Sequence, residues 1–194
     1  MTWKVPHADN TLYLTFDDGP TPDVTDWVME VLDQYNAKAS FFCVGRNAEA
    51  HPDMIRELVR HGHTIGNHTY SHKNAIKVPA EEYLHEVEKA QTVFLNHFGL
   101  EVRNFRPPYG MITPSLKSVL REHFNIVMWD VLSGDFDQDL TEERCLEAVL
   151  DKSKEGSIIV FHDSLKSEEK MKYCLPAVLE HFSQKEFYFA ALPH

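Results

Sequence analysis

An α/β fold built on a largely parallel sheet is predicted by three observations. Short apolar runs alternate with amphipathic helical stripes along most of the 194 residues, the pattern of βαβ units. The runs are near-continuously apolar, as strands buried on both faces are. Polar, chemistry-bearing residues recur directly after these runs, at the carboxyl ends of strands, where barrels and open α/β folds build their sites. The length suits one domain over 1–194 with one sizeable core. No linker, low-complexity tract or internal repeat interrupts it.

The first run, 12–16, leads into Asp17-Asp18-Gly19-Pro20. Neighbouring strand side chains point to opposite faces, so Asp17 and Asp18 serve one site only if the strand ends there. Gly19 tolerates unusual dihedrals and Pro20 offers no ladder donor, so together they supply that ending. Val24, Trp27, Val28, Val31, Leu32 and Tyr35 then recur at helical spacing after Pro22 and Asp23. The run 39–44 predicts a second strand. Met54, Ile55, Leu58 and Val59 predict a helix stopped by Gly62, before a third strand near 64–65. A long stripe from Tyr83 to Phe98 starts near Pro79 and stops at Gly99. Asn104-Phe105 precedes Arg106-Pro107-Pro108-Tyr109-Gly110. Leu116, Val119 and Leu120 form a weaker stripe, followed by a strand over 125–129 that leads to Asp130 and Asp135. Cys145, Leu146, Val149 and Leu150 mark a further helix. The run 157–161 ends at His162-Asp163. A last helix runs from Met171 to Phe182, with Pro176 starting or kinking a segment, and a strand follows over 187–190.

Composition excludes several classes. A net charge of −11 argues against nucleic acid, whose phosphates require a basic surface. No apolar stretch reaches membrane-spanning length, and the first residues lack a signal-peptide core. The chain as written therefore reads as cytoplasmic, or as periplasmic or secreted if a signal has been removed. Cys43, Cys145 and Cys174 are odd in number and widely spaced, so they form neither a disulfide framework nor a zinc-finger pattern.

Two constellations carry chemistry. Paired carboxylates at a strand end suggest divided labour, one binding a metal and the other moving a proton, although Asp-Asp-Gly alone also fits an ordinary turn. His68 and His72 lie four residues apart, and on a helical turn that spacing places them on one face. Among twelve histidines such a spacing also arises by chance. Two histidines with one carboxylate from the Asp17-Asp18 pair make a ligand set with open positions, which suits zinc, with cobalt, nickel or manganese as substitutes. Arg106, stiffened by two prolines, is placed to keep a carboxylate charged and oriented. His162 is a candidate general acid. Asp163 reads as a cap of the turn that follows.

Thr15-Phe16-Asp17-Asp18-Gly19-Pro20, His68-Thr69-Tyr70-Ser71-His72, Arg106-Pro107-Pro108-Tyr109 and the His162-Asp163 strand end resemble the polysaccharide deacetylase family. This is carbohydrate esterase family four, or the NodB homology domain, and the motifs span about 10–190. The resemblance implies a distorted, TIM-barrel-like (β/α) barrel with fewer than eight regular units. It implies Asp17 as general base, Asp18, His68 and His72 as metal ligands, and Arg106 as the residue that positions the base. It also implies the Tyr109 backbone amide as oxyanion donor, His162 as general acid, Asp135 as the acid tuning His162, and Val160 on the wall near the acetyl methyl. One motif departs from the family pattern: Leu132 stands for its first acid and Phe136 for its Trp, which alters the pocket floor. The implied activity is metal-dependent removal of acetyl from an N-acetylated amino sugar polymer or oligomer. Alternatives are an O-acetyl esterase on xylan or a similar glycan, a non-catalytic carbohydrate-binding relative, and a metal-free amidohydrolase. The substrate partner that the resemblance implies is an acetylated carbohydrate.

Overall fold

The computed structural model describes residues 1–193. Seven parallel strands curl into a half-barrel with helices around it, in one domain. The strands are β1 (Thr11–Asp17), β2 (Ser40–Cys43), β3 (Thr64–Asn67), β4 (Asn104–Phe105), β5 (Asn125–Ile126), β6 (Val131–Leu132) and β7 (Ile158–His162). Their spatial order is β5-β4-β3-β2-β1-β7-β6, and a short β8 (Tyr188–Phe189) pairs with the start of β1. Each parallel neighbour needs a crossover, so the intervening segments become helices on the outside. These are α1 (Val24–Gln34), α2 (Gly45–Ala50), α3 (Pro52–Arg60), α4 (Ala80–Phe98), α5 (Pro114–Leu120), α6 (Glu142–Lys152) and α7 (Glu168–Ser183).

The core follows from the pattern. Phe16 of β1 stacks on Phe41 of β2 at 4.9 Å and lies 6.0 Å from Phe161 of β7. These rings sit in one cluster with apolar residues of α1, α3, α6 and α7. α4 runs from Pro79 to a left-handed Gly99, where the sequence stops it. Pro176 falls inside α7, which continues through it rather than starting there. The predicted strand over 125–129 is shorter than expected. Only Asn125 and Ile126 pair with β4, and Val127 bridges Thr2. The short α2 and the two-residue β6 carry too few residues to show a period, so the pattern missed both.

Register is what builds the site. Asp17, the last residue of β1, pairs with Phe42 and with His162, the last residue of β7. Cys43 pairs with Asn67, and Asn67 with Phe105. The residues after these partners, His68 and Arg106, therefore emerge at one level of the sheet.

Candidate active site

β1 ends where the sequence requires. Asp17 closes the strand, and Asp18 takes a left-handed φ of 84°, so the pleat no longer separates the two carboxylates. His68 and His72 are brought together, but not by a helix. Residues 68–73 are irregular, with left-handed backbone at Thr69 (φ 62°) and His72 (φ 61°). The two imidazole centroids lie 5.1 Å apart. The i, i+4 spacing predicted proximity correctly and the backbone wrongly, because the Asn67 side chain accepts the Thr69 N–H (2.9 Å) and turns the chain at once.

Asp18, His68 and His72 offer one ligand atom each within 4.8 Å of one another. Asp18 Oδ1 is 3.6 Å from His68 Nε2 and 3.1 Å from His72 Nε2. That oxygen is buried and accepts no well-aligned hydrogen bond among the described residues. His68 Nδ1 lies 2.7 Å from the Arg106 carbonyl, which makes Nδ1 the donor and leaves Nε2 as a lone pair facing Asp18. Burial raises the Asp18 carboxyl, but the two imidazoles facing it outweigh that and hold it well below the usual carboxylate range. An orphaned buried carboxylate oxygen facing two imidazole nitrogens fits a divalent metal.

Asp17 and Arg106 are buried together. Arg106 Nη1 donates to Asp17 Oδ1 (2.6 Å) and to Thr15 Oγ1 (2.8 Å), and Nη2 donates to the Met128 carbonyl (2.9 Å). Its guanidinium lies 4.1 Å over the Phe42 ring. Sequence reasoning missed Thr15, although it stands two residues before Asp17 and so on the same strand face.

His162 Nδ1 is 2.8 Å from Asp135 Oδ1, and the His162 N–H donates to Asp135 Oδ2 at 2.8 Å. Burial disfavours the charged imidazole, but Asp135 outweighs it and the His162 pKa rises to about 9. Asp130, which the sequence placed beside Asp135, lies at the other end of β7. It accepts from Ser157 Oγ and the Ile158 N–H, both at 2.8 Å, so it cannot tune His162. Asp163 does not cap the following turn. It is buried, accepts from the Gly19 N–H and Thr25 Oγ1, and is pushed by that burial up to about 8.

Asp17, Asp18, His68, His72 and His162 face one cavity of about 490 Å³, and Arg106, Asp135 and Asp163 lie buried behind them. Its apolar lining comes from Leu132, Phe136, Trp129 and Tyr109. Val160 is not on that wall: it is fully buried in β7 between Thr15 and Leu132. Leu132 reaches the cavity in its place. Tyr109 has a left-handed φ of 62° in a tight 3-10 turn whose own hydrogen bonds use the Gly110 and Met111 N–H groups. Its ring is exposed and sits 4.7 Å from the His72 ring.

The family model described as polysaccharide deacetylase matches residues 4–124. A peptidoglycan-N-acetylglucosamine deacetylase of Bacillus cereus is 37% identical over 160 residues, 82% of this chain; the chain spans 58% of that relative's length. A chitooligosaccharide deacetylase of Azorhizobium caulinodans is 34% identical over 168 residues, covering 86% of this chain and 80% of the relative. The crystal structure of the Bc1960 peptidoglycan N-acetylglucosamine deacetylase superposes with a TM-score of 0.92 at 32% identity, over 99% of this chain and 90% of that one. A match over more than half the length, joined to this likeness in sequence and fold, places the chain in the polysaccharide deacetylase family.

Proposed function

We propose that the protein hydrolyses the N-acetyl group of an amino-sugar polymer or oligomer, using a divalent metal. The observation that carries this reading is the convergence of three pairings on one cavity: Asp18 with His68 and His72, Asp17 with Arg106, and His162 with Asp135. Asp18, His68 and His72 would hold the metal, zinc being the natural choice for two imidazoles and a carboxylate, with cobalt, nickel or manganese able to substitute. When bound, such an ion polarises the acetyl carbonyl and makes water a better nucleophile.

The chain's own residues do the rest. Asp17, held by Arg106, takes the proton of the attacking water. The Tyr109 backbone N–H is assigned to the oxygen that gains charge as the carbonyl becomes tetrahedral. His162 carries a proton, kept there by Asp135, and gives it to the departing nitrogen. The loaded acid favours an amide substrate, since an amine leaves only once protonated whereas an alcohol depends on it less. The apolar lining of Leu132, Phe136 and Trp129 suits the acetyl methyl and a sugar face. The named activities of the relatives, on peptidoglycan N-acetylglucosamine and on chitooligosaccharide, point to the same substrate class.

Acetate release from N-acetylglucosamine oligomers, peptidoglycan fragments and acetylated xylan tests the reading. Turnover of the N-acetyl substrates should exceed that of the xylan and should vanish after chelation. Full activity after exhaustive chelation, or preference for the O-acetyl substrate, would overturn it.

A further inference from the structure

Asp163 lies outside the cavity lining, yet both of its carboxylate oxygens are hydrogen-bonded beside the site. It is 1% exposed. Its Oδ1 accepts the Gly19 N–H at 3.0 Å, and its Oδ2 accepts from Thr25 Oγ1 at 2.6 Å. Thr25 Oγ1 in turn accepts the Thr21 N–H at 2.8 Å. The Asp163 N–H donates to the Asp17 carbonyl at 3.2 Å. One residue thus grips the chain on both sides of Asp18. Gly19 has room for nothing larger, because a Cβ there would lie 2.0 Å from Asp163 Oδ2. Asp163 also directly follows His162 in the chain.

We propose that Asp163 is a positioning residue that clamps the Asp17–Gly19 loop to the end of β7, and so fixes the separation between the metal and base side of the site and the acid. The left-handed Asp18 is where such a clamp acts. A non-glycine residue at φ 84° is held there only by its surroundings. Here those surroundings are Asp163 on the Gly19 N–H and, from the other side, the Val44 N–H donating to the Gly19 carbonyl at 3.0 Å and the Asn47 amide donating to the Asp18 carbonyl at 2.8 Å. Releasing the Gly19 N–H would leave a buried donor unpaired and free the loop to relax. Asp18 would then turn away from His68 and His72, and Asp17 from the reacting water. The role rests on the reading of Asp17, Asp18 and His162 given above.

Zinc titration of the metal-stripped protein by calorimetry and acetate release from N-acetylglucosamine oligomers, both well below the unfolding temperature, test it together. In Asp163→Ala, zinc affinity and kcat should each fall about 10–100-fold, the range for residues supporting metal ligands, with KM little changed. Asp163→Asn keeps the acceptor for Gly19 and places an amide N–H toward Thr25 Oγ1, so it should restore both. A folded Asp163→Ala with wild-type kcat and zinc affinity would overturn the proposal. So would Asp163→Asn falling as far as Asp163→Ala, since charge rather than placement would then matter. If Asp163→Ala does not fold, Thr25→Val and Thr25→Ser decide. Val should weaken zinc binding and Ser should not, and equal behaviour of the two would sink the clamp. A wild type that binds zinc but releases no acetate would refute the functional reading, while the zinc arm would still judge Asp163.

Discussion

At the scale of single residues, adjacent carboxylates have different surroundings and so different expected roles. Asp17 is gripped by Arg106, whereas Asp18 faces two imidazoles with an unsatisfied oxygen. Asp17→Asn should keep the metal and lose roughly 10²–10⁴-fold in turnover, the usual contribution of a general base. Asp18→Asn should weaken metal binding first. Metal content and single-turnover rate, measured on both variants, check the assignment, and the reverse pattern would exchange the roles. The acid is checked by pH. His162 stands at about 9 because Asp135 outweighs burial. Asp135→Asn removes the strongest influence that raises the His162 pKa and leaves burial opposed only by the charges of Asp17 and Asp18, so the alkaline limb of the rate profile should move to lower pH. Asp130→Asn should leave that limb in place, since Asp130 bonds Ser157 and Ile158 instead. A second histidine carries a stability prediction. Buried His63 accepts the Ala39 N–H on Nδ1 at 3.2 Å, and burial pushes it down to about 4. The unfolded chain, near 6.5, binds the proton more readily. The stabilising effect of neutral His63 is therefore complete above about 6.5 and is lost as pH falls toward 4, by up to about 3 kcal/mol. Urea unfolding across pH 4–7 should show that slope, flattened in His63→Asn, whose side-chain oxygen keeps the acceptor without titrating.

At the scale of elements, β3 shows how packing reaches the site. A Cβ on Gly66 would lie 2.4 Å from the Phe42 ring of β2, and that ring carries the Arg106 guanidinium 4.1 Å away. Gly66→Ala should therefore move Phe42 and, through it, Arg106. Overpacking of this kind costs about 1–3 kcal/mol. Thermal unfolding should register that loss, and kcat should fall with metal content unchanged. An unchanged kcat would show that Phe42 yields without disturbing Arg106. The end of β1 was legible because its apolar run leads into Gly19-Pro20, which cannot continue the ladder. The His68–His72 segment was not, since a four-residue spacing does not distinguish a helical turn from a loop with two left-handed residues.

At the scale of the whole molecule, the half-barrel is open between β5 and β6, and the N-terminal segment crosses that side. Thr2 bridges Val127, its N–H donating to the Ile126 carbonyl at 2.8 Å, while the Val5 N–H donates to the Gly156 carbonyl at 2.9 Å. Residues 2–5 thus tie β5 to the start of β7. Removing residues 1–5 should lower the unfolding midpoint and raise hydrogen exchange at Met128, whose N–H donates to Thr2 (2.7 Å). Undiminished protection at Met128 would show that the strands hold the opening alone.

The sequence by itself determined the alternation of strand and helix, the placement of polar residues at strand ends, and Asp17, Asp18, His68, His72, Arg106 and His162 as candidates for the site. These are local properties: periodicity, a strand-ending Gly-Pro, and residue types with one chemistry. What only the tertiary structure decided is which of these groups meet. Asp18 reaches His68 across two strands, Asp135 rather than Asp130 reaches His162, Leu132 rather than Val160 lines the cavity, and Asp163 turns inward onto Gly19. Each of these depends on register between strands distant in sequence and on left-handed backbone in the loops between, and neither is written in the spacing of residues along the chain.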